Sequence, residues 1–282
     1  ALSIKPIIEV RGGKVEQGGK ERTRSKALAF IVDKVKSAGP IENLSILQAQ
    51  CADVDQFVAE LRTVYSGEII VRDIGASADT ARRSAEELVA AGVEVIVGPM
   101  TSASIDAIMP VTEAAGVLLV SPTASAVKFY GQDDHLFRIN ATTRDNGRNY
   151  AEHYFARGIR RIAVAVNHDN QAFSASWLAE FRRAYEAVGG RVLAAPFFDS
   201  SAPSYEPVVH ELLAGRPDGL LFIANAVDSA RLAQQVHKLR PGMPMIVAEW
   251  GGTSQLIVLG GRAVEGMMLL QNYNQEDDSP RY

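Results

Sequence analysis

Two short loops hold the residues with the most chemical promise. Gly98-Pro-Met-Thr-Ser-Ala-Ser follows an apolar run of strand length and opens a helical pattern. Ser121-Pro-Thr-Ala-Ser does the same after the next such run. Small hydroxyl residues at a helix start leave backbone amides facing outward at its positive end, which suits a carboxylate or another anion. Two such strand ends side by side make a polar crevice at the carboxyl edge of a sheet, where open α/β folds take ligands. Ser and Thr also cap helices with no ligand involved, so the loops alone leave both roles open.

Other chemistries find little material. The five histidines (His135, His153, His168, His210 and His237) are scattered, and none pairs at metal-ligand spacing with a third partner. No metal or other cofactor is expected. His168 and Asp169 are adjacent, but no nucleophile is placed to join them. The chain lacks Gly-x-Gly-x-x-Gly, Gly-x-x-x-x-Gly-Lys-Ser/Thr and Gly-x-Ser-x-Gly, so it is not expected to be an enzyme. Cys51 is alone, which excludes an intramolecular disulfide. No Lys, Arg or His lies within four residues of it, and it reads as a small apolar residue at the start of a helix.

The chain has 282 residues, 47% hydrophobic and 22% charged, with a net charge of −4. That length allows one large or two ordinary α/β domains. No basic footprint invites nucleic acid or an anionic membrane. No apolar run approaches the ~18 residues of a membrane span. The start, Ala1-Leu-Ser-Ile-Lys-Pro, shows no charged region followed by an apolar one.

Strand-length apolar runs alternate with helical patterns over most of the chain. Strands are expected at 44–49, 68–73, 93–97, 117–120, 161–166, 191–195, 219–223 and 244–248. Helices are expected at 53–64, 80–91, 102–115, 144–158, 173–189, 205–215 and 228–239. Asp79 is placed to cap the second of these helices, and Gly92 to end it. Strict β/α alternation predicts an α/β fold with parallel sheets covered by helices on both faces. Residues 1–40 depart from it. Lys5 to Val10 and Lys14-Val15 around Gly12-Gly13 predict a hairpin. Lys20 to Ala38 predicts an amphipathic helix, apolar at Ala27, Leu28, Ile31, Val32 and Val35.

From about residue 76 to 282 the chain resembles the type I periplasmic solute-binding proteins of ABC transporters, branched-chain amino-acid class. Glu86-Glu-Leu-Val-Ala-Ala-Gly-Val, Gly98-Pro, the Ser121-Pro turn, Phe137-Arg-Ile-Asn and Ala263-Val-Glu-Gly-Met carry the likeness, in order and spacing. The resemblance implies two lobes closing on a small-molecule ligand, with crossings near Leu136 to Asn140 and near Ala248 to Gly252. It implies that Ser102, Thr123 and Ser125 hold the ligand in the first lobe. In the second lobe Phe173 stands where amino-acid binders usually have Tyr. Ala226 stands where a second aromatic is common, and Glu249-Trp250 where an acidic residue meets the ammonium. Phe173, Trp250 and Tyr130 would instead line an apolar pocket, which argues against strict amino-acid specificity and suits an aromatic acid or another apolar carboxylate. The ligand so implied is a small carboxylate, amino-acid-like or an aromatic acid. The partner so implied is an ABC permease, outside the inner membrane.

Residues 3 to about 75 resemble the C-terminal half of DegV-type fatty-acid-binding proteins. Lys5-Pro-Ile-Ile-Glu-Val-Arg-Gly-Gly-Lys-Val, Arg22-Thr-Arg-Ser-Lys-Ala, Gly39-Pro-Ile and Ile69-Ile-Val-Arg-Asp-Ile-Gly carry that likeness. The family's carboxylate site belongs to its other half. Its Gly-Thr-His loop should follow Gly75, where Ala76-Ser-Ala-Asp stands instead. Together the two likenesses describe a chimera, cytosolic in type upstream and extracytoplasmic downstream, of the kind made by engineered recombination. Its expected divisions are 1–75, completing the first lobe, 76–135, the rest of that lobe, and 136–282, the second lobe with the start of a return crossing. A recombined fold without an evolved function, and fatty-acid binding, are the alternative readings.

Overall fold

The computed structural model describes residues 5–11, 14–41, 44–48, 51–73 and 77–270. The expected Gly12-Gly13 turn, the join at Gly75 and the start of a return crossing after Leu270 lie outside them. The chain divides into two units, residues 1–84 and 85–282.

In the first unit, β1 (Lys5–Arg11) and β2 (Lys14–Glu21) pair antiparallel, as the sequence predicts. α1 (Arg24–Ser37) starts later than expected, because Lys20 and Glu21 pair with Pro6 and Lys5 in the hairpin. Thr23 then caps the helix by accepting from the Lys26 amide at 3.3 Å. All five predicted apolar positions of α1 are half-buried. β3 (Leu44–Gln48) and β4 (Ile69–Asp73) pair in parallel, with α2 (Val54–Arg62) between them in sequence. Arg24 pairs with Asp53 through two hydrogen bonds, which holds its carboxyl below the usual carboxylate range. The same guanidinium also lies beside Cys51. Sequence neighbours alone therefore misjudged the surroundings of this thiol, since its cation comes from α1.

α3 (Ala78–Ala90) is capped by Ser77, whose Oγ accepts from the Thr80 amide at 3.2 Å. This corrects the assignment of the cap to Asp79, which sits inside the first turn. Gly92 follows at φ 78°, the left-handed value expected of a helix terminator.

Among its described residues the second unit forms two parallel sheets. The smaller has the order β5 (Val95–Val97), β6 (Leu118–Ser121), β7 (Leu136–Arg138), with α4 (Ser102–Ala115) joining the first two. The larger is built on β8 (Arg161–Asn167). β9 (Arg191–Ala194) and β10 (Phe197–Phe198) pair with β8, and β11 (Gly219–Ile223) and β12 (Met245–Val247) follow on from it. β10, only two residues long, was not anticipated as a strand, while β7 falls at the crossing expected near Leu136 to Asn140.

Helices cover both faces of the larger sheet, and alternation within its strands explains why. Ala163 and Ala165 of β8, with Leu220 and Phe222 of β11, join the core formed with α7 (Glu206–Ala214) and α8 (Ala226–Leu239). Ile162, Val164 and Val166, with Leu221 and Ile223, face α5 (Thr143–Ala156) and α6 (Gln171–Ala187). A strand buried on both faces needs a continuous apolar run, and β8 and β11 supply one. α5 and α6 approach so closely that a methyl added at Gly147 would lie 2.8 Å from the Phe181 amide nitrogen.

An exposed pair ties the C-terminal end of α4 to the start of β7. Glu113 accepts from the His135 amide at 2.7 Å and pairs with its Nδ1 at 2.9 Å. The contact raises the His135 pKa and lowers that of Glu113. Its stabilisation is complete between about 4.5 and 6.5, the ordinary values of the two groups. It fades as pH falls through the lowered Glu113 value, and as pH rises through the raised His135 value. Thermal unfolding of the parent and of His135→Ala should therefore differ most near pH 5.5 and converge toward pH 9. A difference that does not vary with pH would refute the assignment.

Candidate functional site

The two hydroxyl-rich loops lie side by side and are knitted together. Gly98, at φ 114°, turns the chain out of β5 into α4. Thr101 caps α4, accepting from the Ser104 amide at 3.1 Å. Ser102 is buried, and its Oγ accepts from the amides of Ser125 and Ala126, both at 3.3 Å. Ser121 donates to the Pro99 carbonyl at 2.9 Å, and Thr123 donates to the Met100 carbonyl. Ser125 sends its carbonyl to the Thr143 amide at 2.8 Å, which fixes the start of α5. Much of the hydroxyl content thus builds the loops. With both lone pairs of Ser102 engaged, what it can offer a ligand is its O–H.

A cavity of about 460 Å³ opens beside these loops and is lined by Ser102, Thr123 and Ser125. Its other wall includes Asn170, Phe173, Glu249 and Trp250. Phe173 lies in the first turn of α6, with its ring edge-on to Trp250 at 5.6 Å and 79°. Trp250 follows β12 in a single helical turn, Glu249–Gly251. Six of the seven predicted site residues therefore meet at one cavity. Ala226 does not. Asn225 caps α8, which makes Ala226 its first residue and turns the methyl into the core with Ala224 and Ala230. Tyr130 is 62% exposed and does not line the cavity.

Glu249 defines the electrostatics. Its carboxylate accepts from Asn146 Nδ2 at 2.7 Å and from Trp177 Nε1 at 2.9 and 3.2 Å. Both donors are neutral. Burial, only partly offset by these bonds, raises its pKa above the ordinary carboxylate value. A carboxylate in this setting gains most from a cation arriving in the cavity.

Asn140, Asn170, Thr253, Leu269 and Leu270 also line the cavity and were missed by the sequence reading. Asn170 stands at the start of α6, but its side chain makes no capping bond there and reaches Ala103 instead, so helix-start chemistry did not mark it. Leu269 and Leu270 carried no signal. The first crossing lies where expected, since β7 leads directly through Asn140 to α5. The second was misplaced. After Glu249–Gly251 the chain forms α9 (Ser254–Gly260), packs Leu256, Ala263 and Val264 beneath α8, and returns to Ile246 of β12 at Met268. Apolar burial on α8 holds it to the second sheet.

Among the described residues, no group of three His, Cys, Asp or Glu is placed to hold a metal. None of their helices is long and apolar enough to cross a membrane.

A family profile described as "Periplasmic binding protein" matches residues 67–282. The leucine-, isoleucine-, valine-, threonine- and alanine-binding protein of Pseudomonas aeruginosa is 23% identical over 185 residues, 65% of this chain and 49% of that protein. The chain thus spans about half the length of this curated relative. A leucine-binding protein from Thermotoga maritima shares the fold at a TM-score of 0.70 and 19% identity, over 85% of this chain and 73% of the other. An ABC-transporter solute-binding protein from R. palustris, solved with benzoate, gives 0.69 and 13%, over 86% and 71%.

Proposed function

The chain belongs to the periplasmic binding protein family, and from that premise we propose that it is a solute-binding protein whose ligand is an α-amino acid with an apolar side chain. The observation that carries this reading is Glu249, a half-buried carboxylate held only by neutral donors at the wall of the cavity. The ligand ammonium would meet Glu249. Its carboxylate would take the Ser102 O–H on the opposite wall. Its side chain would lie against the edge-on pair Phe173 and Trp250. The proposed partner is an ABC permease, outside the inner membrane.

A second reading, an aromatic acid without an ammonium, is favoured by the same aromatic pair. The protein solved with benzoate shares the fold. Thermal-shift measurements separate the two, because a ligand that binds only the folded state raises its unfolding temperature. L-Leucine and L-phenylalanine should stabilise the protein, while 4-methylpentanoate and benzoate should not. Stabilisation by the deaminated acids alone would replace the first reading with the second. A response to long-chain fatty acids only would favour DegV-type binding, and a flat panel would refute solute binding.

The division into 1–75, 76–135 and 136–282, with a DegV-like first segment, is likewise a proposal. The family match begins at residue 67 and the unit boundary falls after Ser84, which bracket the first of these bounds.

A further inference from the structure

We propose that Asp228, which lies outside the cavity, is a positioning residue for it: through Asn167 it holds Asn170 against the first turn of α4, and so fixes the two cavity walls to each other. The inference rests on the reading that this cavity takes a solute.

Asp228 is buried and gathers four side-chain donors. Its Oδ1 accepts from the Tyr205 hydroxyl at 2.6 Å. Its Oδ2 accepts from Ser200 Oγ at 2.6 Å, Asn225 Nδ2 at 2.8 Å and Asn167 Nδ2 at 3.1 Å. Asn167, Ser200 and Asn225 lie at or just beyond the carboxyl ends of β8, β10 and β11. One carboxylate therefore ties three strand ends of the larger sheet. A carboxylate accepts at every lone pair, so it can serve all these donors without leaving one unpaired.

Asn167 is fully buried and passes the constraint on. With its Nδ2 held, its Oδ1 is oriented to accept from the Asn170 amide at 3.3 Å. The Asn170 carbonyl in turn accepts from the amides of Phe173 and Ser174, which sets the first turn of α6 and with it the Phe173 ring. The Asn170 side chain then reaches the other wall, where its Oδ1 accepts from the Ala103 amide at 3.1 Å. Ala103 is in the first turn of α4, so its N–H has no acceptor within the helix. An amide that could have served a bound anion serves the partner wall instead. If Asp228 is lost, Asn167 Nδ2 keeps only Ser200 Oγ at 2.9 Å, itself released from Asp228, and Asp169 at 3.5 Å, and Asn170 loses its fixed register with Ala103.

Amide hydrogen exchange at Ala103 reads this link without any ligand, and calorimetry with L-leucine reads its consequence. Asp228→Ala and Asn170→Ala should each speed Ala103 exchange about fivefold, the worth of one hydrogen bond, and weaken leucine binding by a similar factor. Asp228→Asn should restore both, since its amide oxygen still accepts from Asn167. The double variant should exchange and bind no worse than Asn170→Ala alone. Additive losses, or Ala103 exchange unchanged in Asp228→Ala, would overturn the inference. If Asp228→Ala does not fold, Asn167→Ala breaks the same relay one bond later and must give the same exchange result. If the parent takes no leucine, the binding reading fails, and the exchange measurements still decide this one.

Discussion

Glu249→Gln should bind L-leucine about a hundredfold more weakly than the parent, yet unfold at a higher temperature when ligand-free. Both effects follow from one desolvated charge. Glutamine keeps the shape, and its one oxygen, standing in the place of Oε1, can accept from Asn146 and, at 3.2 Å, from Trp177. It removes the charge that burial disfavours, so the empty protein is relieved of a cost. The ligand ammonium then enters the cavity without a counter-charge. Losing one partner of a buried charged pair costs about 2–5 kcal/mol, and each 1.4 kcal/mol is about a factor of ten.

The pH dependence sharpens the test. The Glu249 pKa is raised in the folded, ligand-free protein, so its contribution to stability is greatest in acid. That contribution is lost as pH rises through the raised value. Leucine affinity has the opposite slope, because the ammonium needs the ionised carboxylate. It should fall as pH drops through the same value, and Glu249→Gln should flatten both curves. Thermal unfolding across pH checks the first, and calorimetry the second. Undiminished leucine affinity in Glu249→Gln would remove Glu249 from the site.

Trp177→Ala should lower the unfolding free energy by about 3–5 kcal/mol, the range for a large aromatic removed from a packed core. Trp177 is fully buried in the larger sheet's α5/α6 layer. Its ring stacks on Phe181 at 5.4 Å and meets Tyr150 edge-on at 5.1 Å. Phe181 continues the stack onto Tyr185 at 5.0 Å. Trp177→Phe separates packing from hydrogen bonding. It keeps most of the apolar volume but deletes the indole N–H that supports the Glu249 carboxylate. It should lose less stability than the alanine variant while still weakening leucine binding. Urea denaturation measures the first effect and calorimetry the second. A loss below about 1 kcal/mol in Trp177→Ala would mean that this layer repacks freely.

The elements of the second unit were legible because their signals are local. The apolar runs at Arg161 to Val166 and Gly219 to Ile223 predicted strands, and both form, buried along almost their whole length. α4 spans the predicted Ser102 to Ala115. Hydroxyl-rich loops after two strands were enough to locate one wall of the cavity. Errors came where a short element or a cap depended on its neighbours. Lys20 and Glu21 have helical surroundings in sequence but are claimed by a strand partner. Ala226 occupies an expected ligand position, but the turn set by Asn225 points it into the core.

The sequence by itself determined the β/α alternation, the two hydroxyl-rich helix starts and the absence of nucleotide-loop and hydrolase motifs, all of which reside in residue type and short-range spacing. Only the tertiary structure decided that Glu249 lies among Asn146, Trp177 and the cavity, that Asn170 reaches Ala103, and that Arg24 stands beside Cys51. These relations join residues far apart in the chain. The properties that matter, the desolvation of a carboxylate and the pairing of a helix-end amide, are set by what packs around a group rather than by what precedes it in sequence.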